Sequence, residues 1–350
     1  MINSVKLCGD RRSVKNKYTK LNGQNISIKI KIMKISVTIC CLLLTFVACR
    51  TTKKLSETLK YSNKSISMPE IFADGVISTK ENSEFDICFS PNGKTAYFTR
   101  RQGNEKQKIW QSEFKNGTWT NPTKMSFSTD RDETPFISPD GQTLYFGSAR
   151  PIEGRPSKGN FDMNIWYVER VKNNWGSPKP LNENINAVQE EKEEWPSSNE
   201  NFMFSNDNKN FIYTTMLRGE KVIEVYKTIK DGSKFSKPEK ITGLFQNEKS
   251  WKYSAVLSPD GQYLLFNSYE AEGGIGGEDI FVSKKNSNGW TKAKSIGGLV
   301  NTKAEESSPR FSPDGRYFFF GRELREKPEK DGVWSIYYVE TKYLQLEKLF

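Results

Sequence analysis

Histidine does not occur anywhere in the 350 residues. Its absence removes the commonest general base, the commonest zinc ligand and every Ser-His-Asp or Cys-His arrangement. Cysteine is scarce. Of five, Cys8, Cys40 and Cys41 precede the processing point argued below, which leaves Cys49 and Cys88 and no disulfide framework. An excess of one charge is also missing from most of the chain. Residues 1–48 hold nine Lys/Arg against one Asp, whereas from Cys49 onward 44 basic residues face 41 acidic ones. Such a mixed surface has no basic stripe for phosphates, so no nucleic-acid partner is expected. The apolar run at residues 35–48 falls short of the ~20 residues a membrane-spanning helix needs.

That run has a different logic. Met33-Lys34 opens ISVTICCLLLTFVA, which ends in Ala48-Cys49-Arg50. A charged start, an apolar stretch and small residues before a cut make a secretory signal. Phe46-Val47-Ala48-Cys49 resembles a bacterial lipobox, with Phe where Leu is commoner, which implies lipidation of Cys49. An ordinary secretory signal cut elsewhere and a short membrane anchor are the alternatives. The expected organisation is an upstream extension from a misassigned start at 1–32, a signal peptide at 33–48, a flexible tether at 49–66 and one folded domain at 67–350.

What the chain has in abundance is one repeated unit. FSPNGKTAYF (Phe89–Phe98), ISPDGQTLYF (Ile137–Phe146), a decayed FSNDNKNFIY (Phe204–Tyr213), LSPDGQYLLF (Leu257–Phe266) and FSPDGRYFFF (Phe311–Phe320) share a strand, a tight turn and an aromatic strand. Pro sets φ at the first central turn position, Asp suits the second, and Gly takes the left-handed position that follows. A third strand follows each copy, for example NIWYVERV (Asn164–Val171), and four copies then carry a fourth strand marked by Pro or Ala. Four antiparallel strands per repeat describe the blade of a β-propeller, whose blades bury their apolar faces only against one another. The last copy lacks a fourth strand, and MPEIFADGVIS ahead of the first copy matches one. The expected fold is therefore an all-β, five-bladed propeller closed by its N-terminal strand. A six-bladed ring would need a hidden repeat, and the gap of 67 residues from Pro139 to Asn206 is better filled by an insertion at 151–161.

These repeats resemble the WD40-like, PD40-type propeller repeats of the TolB propeller and of many lipoproteins of Bacteroidetes-like bacteria. The resemblance covers residues 69–350 and rests on five copies in blade register. It implies a location in the bacterial cell envelope, lipid-anchored at the outer membrane. It does not imply one activity, because propellers host many unrelated functions.

The Ser-Pro-Asp-Gly turns lie on one face of such a ring, and the opposite, loop face is where a ligand is expected. Acidic residues precede the innermost strands there (Glu84, Glu133, Glu194, Glu306), and arginines end the second strands (Arg100 and Arg101, Arg150, Arg218, Arg322). Bidentate pairing lets such arginines hold a carboxylate, a sugar acid or a peptide terminus. The competing arrangement is that acids and arginines pair with each other. The Gly-rich EGGIGGEDIF (Glu272–Phe281) lacks a P-loop ending and is read as a loop between strands. Its Glu278 and Asp279 match no calcium ladder, and Cys88 reads as a buried apolar residue.

No catalytic residue, cofactor or metal site is expected. The leading expectation is a monomeric, non-catalytic scaffold that binds an envelope protein or glycan. The alternative is a glycoside hydrolase or sialidase-like propeller using two of Glu133, Glu194 and Glu306, since glycoside hydrolysis needs paired carboxylates and no histidine.

Overall fold

The computed structural model describes residues 60–350 apart from 156–161, 188–199, 205–208, 217–221, 233, 246–249 and 326–331. A first short strand, β1 (Glu70–Ile71), is followed by five sheets in chain order. Blade one holds β2 (Asn82–Phe89), β3 (Thr95–Gln102) and β4 (Lys108–Lys115), with outer pieces β5 (Thr118–Trp119) and β6 (Thr123–Lys124). Blade two holds β7 (Asp132–Ile137), β8 (Thr143–Ser148), β9 (Asn164–Val171), β10 (Asn174–Trp175) and β11 (Lys179–Pro180). Blade three holds β12 (Glu200–Phe204), β13 (Asn210–Thr215), β14 (Glu224–Asp231), β15 (Lys234–Phe235) and β16 (Glu239–Lys240). Blade four holds β17 (Tyr253–Leu257), β18 (Tyr263–Tyr269), β19 (Glu278–Asn286), β20 (Gly289–Trp290) and β21 (Lys294–Ser295). Blade five holds β22 (Glu306–Phe311), β23 (Tyr317–Leu324) and β24 (Val333–Glu340).

The missing strand of blade five is β1, which pairs Glu70 with Tyr338 and Ile71 with Tyr337. Each innermost strand contacts that of the next blade, and β22 contacts β2, so the five sheets close into a ring. The decayed third copy is a full blade, with β12 and β13 in antiparallel register. The outermost strand is broken in two in blades one to four, β5 from β6, β10 from β11, β15 from β16 and β20 from β21.

Strand periodicity explains why the second strands are aromatic throughout. Successive side chains point to opposite faces of a sheet, and a middle strand in a propeller is covered on both. In β23, Tyr317 and Phe319 enter the core between blades five and one, whereas Phe318 and Phe320 enter that between blades four and five. In β8, Leu144 and Phe146 face blade one and Tyr145 faces blade three. The core is accordingly five clusters, one per seam between blades.

Each described repeat turn is fastened by its own side chains. In blade two the Ser138 hydroxyl donates to Asp140 and accepts the Thr143 N–H, while Asp140 accepts the Gln142 N–H. The same bonds recur around Ser90, Ser258 and Ser312. The turn aspartates are consumed locally, as expected of Asx turns.

The stretch expected as a tether up to residue 66 ends earlier. Ile66 is fully buried and Tyr61 packs against the ring, so the folded part begins by Tyr61. Cys49 lies outside the described residues.

Candidate functional site

The loop face begins with a repeated ion pair. In blade one the Arg100 Nε donates to Glu84 at 2.8 Å, and its Nη2 donates to the carbonyls of Ile77 (2.9 Å) and Val76 (3.3 Å). Glu84 also accepts from the Thr79 N–H and hydroxyl, at 3.0 and 3.1 Å. Burial drives its carboxyl up to about 7, against the opposing pull of Thr79 and Arg100. Blade five repeats the arrangement: Arg322 donates to Glu306 (2.8 Å) and to the Val300 carbonyl (2.7 Å), and Thr302 donates twice to Glu306. Burial raises the Glu306 carboxyl as well. Each guanidinium lies over two rings of its own blade: Arg100 over Phe98 and Trp110, Arg322 over Phe320 and Tyr337.

Blade two uses a different acid from the one singled out in the sequence. Arg150 donates to both carboxylate oxygens of Asp132 at 2.9 Å, and Glu133 instead takes Arg131 at 2.9 Å. Asp132 sits two residues before the left-handed bulge residue Thr134, as Glu84 precedes Asp86 and Glu306 precedes Ser308. That register was the available signal, and it was masked by the neighbouring acid. In blade four the same position holds a cation. Lys252, fully buried, pairs with Glu224 of β14 at 2.9 Å. Glu194 and Arg218 lie outside the described residues. Arg101, half-buried at the end of β3, is the one described arginine of that set outside these ion pairs.

Deeper toward the axis, among the described residues, four inner strands carry a left-handed non-glycine residue: Asp86, Thr134, Ser254 and Ser308, with φ between 50° and 55°. Each lies at a bulge, where the extra residue turns its polar groups out of the ladder. Neighbouring blades bond three of these residues, Asp86, Thr134 and Ser308. Asn267 Oδ1 accepts the Ser308 N–H, the Ser308 hydroxyl donates to Asp86, the Thr99 hydroxyl donates to Asp86, and Thr99 Oγ1 accepts the Thr134 N–H. A polar hoop thus links blades four, five, one and two. Burial raises the Asp86 carboxyl, with the buried Arg310 opposing it. Cys88, beside them, is buried and its thiol is pushed up to about 12.

The glycine-rich loop after β18 folds around a carboxylate of its own. The Ile275 and Gly276 N–H groups donate to Asp279 Oδ2 at 2.7 and 2.9 Å. A Cβ on Gly276 would meet the Ala304 carbonyl at 2.2 Å, so the backbone approach there requires glycine. The anion cradle is occupied from within the chain.

The loop face of blades four and five carries half-buried and exposed aromatics next to acids. Trp251 and Tyr253 stack with centroids 5.8 Å apart, and Tyr269 is 52 % exposed. Beside them Arg325 bonds both Glu305 and Glu323. Burial and the Glu323 charge raise the Glu305 carboxyl.

No family model and no curated protein matches the chain. Solved structures do. It is similar to TolB from Acinetobacter baumannii, at 16% identity over 75% of this chain and 53% of that one, with TM-score 0.44. It thus spans about half the length of that protein. A protein of unknown function from Dyadobacter fermentans is similar at 13% identity over 80% and 85% of the two chains, with TM-score 0.47. A glycoside hydrolase aligns at 10% identity over 79% of this chain and 92% of its own, with TM-score 0.52. At these identities the likeness is one of fold.

Proposed function

We propose that the chain is a non-catalytic binding propeller, held at a bacterial envelope by lipid on Cys49, whose loop face engages a protein or glycan partner. The observation that carries this reading is the use of charge on that face. Glu84, Asp132 and Glu306 are paired with arginine within their own blades, while Tyr269 is exposed and the half-buried Trp251 and Tyr253 stack on each other. Rigid aromatic planes supply contact area at little entropic cost, which suits recognition without chemistry. The self-fastened turns on the opposite face support the blades and leave the loop face to vary.

The test is affinity capture of the lipidated protein from envelope membranes, with Trp251→Ala and Tyr269→Ala as comparators. A stoichiometric partner lost in both variants supports the reading. A second reading, carbohydrate hydrolysis, draws on Glu305 and Glu323, two carboxylates sharing Arg325, one of them raised. Turnover of a glycan substrate that disappears in Glu305→Gln and Glu323→Gln would replace the scaffold by an enzyme.

A further inference from the structure

The seams between blades differ in what covers their outer grooves. Between blades five and one, the groove is plugged by Tyr61, a side chain from ahead of the first strand. Its ring lies 5.3–6.3 Å from those of Phe72, Phe89, Phe114, Trp119, Tyr317 and Phe319, and its hydroxyl donates to the Gly93 carbonyl at 2.8 Å. Between blades four and five, residues 343–350 cover the groove. Leu344 and Leu346 pack with Leu265 and Ile296, and the Phe350 ring lies 6.3 Å from that of Tyr263.

Between blades one and two, the corresponding groove is an open cleft of about 300 Å³ lined by Thr95, Tyr97, Lys124, Met125, Arg170 and Trp175. The correspondence is residue by residue. Thr95 and Tyr97 stand in their repeat where Tyr317 and Phe319 stand in theirs. Arg170 pairs with Trp175 as Phe114 pairs with Trp119. The Met125 N–H donates to Ile109 as that of Phe72 donates to Ile336. Five of the six positions whose rings surround Tyr61 therefore recur in the wall of this cleft, two of them, Tyr97 and Trp175, still aromatic.

The cleft keeps two rings, Tyr97 and Trp175, and changes its charge. Arg170 lies 4.3 Å from the Trp175 ring centre and donates to the Tyr97 hydroxyl and the Gly141 carbonyl. Gly141 is the repeat-turn glycine, as Gly93 is for Tyr61. Lys124 is exposed, and Glu113 on the same wall is tied to Lys115. A groove at the same repeat positions as the filled copy, but with two cations where that copy has Ile71 and Phe114, suits an aromatic ring with a carboxylate beside it.

We propose that this cleft receives a tyrosine-bearing, acidic peptide segment of a partner protein, docked as Tyr61 docks in the neighbouring seam. The site lies on the outer edge of the ring, so the proposal does not rest on the loop-face reading. The probe is a synthetic peptide of residues 56–67 carrying Lys60→Glu and Lys64→Glu, titrated into the protein while the indole N–H resonances are followed by NMR. The expected result is saturable binding that moves the Trp175 resonance. It weakens at least tenfold when the peptide's Tyr61 is replaced by Ala, and at least fivefold in the protein variants Lys124→Glu and Arg170→Ala. Lys124 is exposed, so its variant remains informative if Arg170→Ala perturbs folding. Trp251→Ala is expected to leave the titration unchanged. Absence of saturation, insensitivity to the peptide's tyrosine, or movement of Trp119 in place of Trp175 would overturn the proposal.

Discussion

The seam between blades five and one and the seam between blades one and two are built from the same repeat positions and finished differently. The first joins β22–β24 to strands distant in the chain, and β1, which runs on into β2, is held to β24 by hydrogen bonds alone. It receives β1, the buried ring of Phe72 and the plug Tyr61, and Arg100 reaches back to the Val76 and Ile77 carbonyls of the closing segment. The second joins blades that the chain already connects. It keeps Met125 where the first has Phe72 and leaves a cleft where the first has Tyr61. Closure without a covalent link demands more buried area, because every unit of ordering must be offset by contacts alone. The seam between blades one and two, finished by neither terminus, keeps its cleft.

The widest gap should appear in matched truncations. Phe72→Ala is expected to cost about 3–5 kcal/mol and Met125→Ala about 2–3 kcal/mol, from lost burial and the cavity left behind. Urea denaturation of both variants measures the difference. Equal losses would mean that the closing seam carries no extra share of stability. The next effect is on pH. The Glu84 carboxyl is raised from 4.5 to about 7 in the folded chain. Its fold-stabilising contribution is therefore complete below about 4.5 and lost as pH rises through about 7. The denaturation midpoint of wild type should fall over that window, and Glu84→Gln should flatten the fall; an unaltered slope would remove Glu84 from the account of this seam. The smallest effect is at the turns. Gly141 has φ +71°, and an added Cβ would sit 3.3 Å from Pro91 across the open seam, whereas Gly261 has φ +67° and empty space. Gly261→Ala should cost about 1 kcal/mol from the left-handed backbone alone, and Gly141→Ala about 1–2 kcal/mol. Thermal melts that rank them in reverse would show that the turns do not pack from blade to blade.

Blade count, strand order and ring closure were legible because they rest on local chemistry repeated five times. Pro, Asp and Gly dictate the turn wherever they stand, and a strand with apolar residues on both faces can only be a middle layer. The decayed third copy was legible for the same reason, its apolar strands surviving the loss of Pro and Gly. The candidate charges were harder. Glu84, Arg100, Glu306 and Arg322 were visible as types, but whether an arginine meets a ligand or the glutamate opposite depends on the bulge that sets their register. In blade two that register passes over Glu133 and selects Asp132.

The sequence by itself determined the architecture, since one unit that cannot bury its own faces must stack and close. Tertiary structure alone decided where Tyr61 and Phe350 end up and that the seam between blades one and two keeps a cleft. Those outcomes depend on volumes enclosed between blades, a property of paired surfaces that no single stretch of chain encodes.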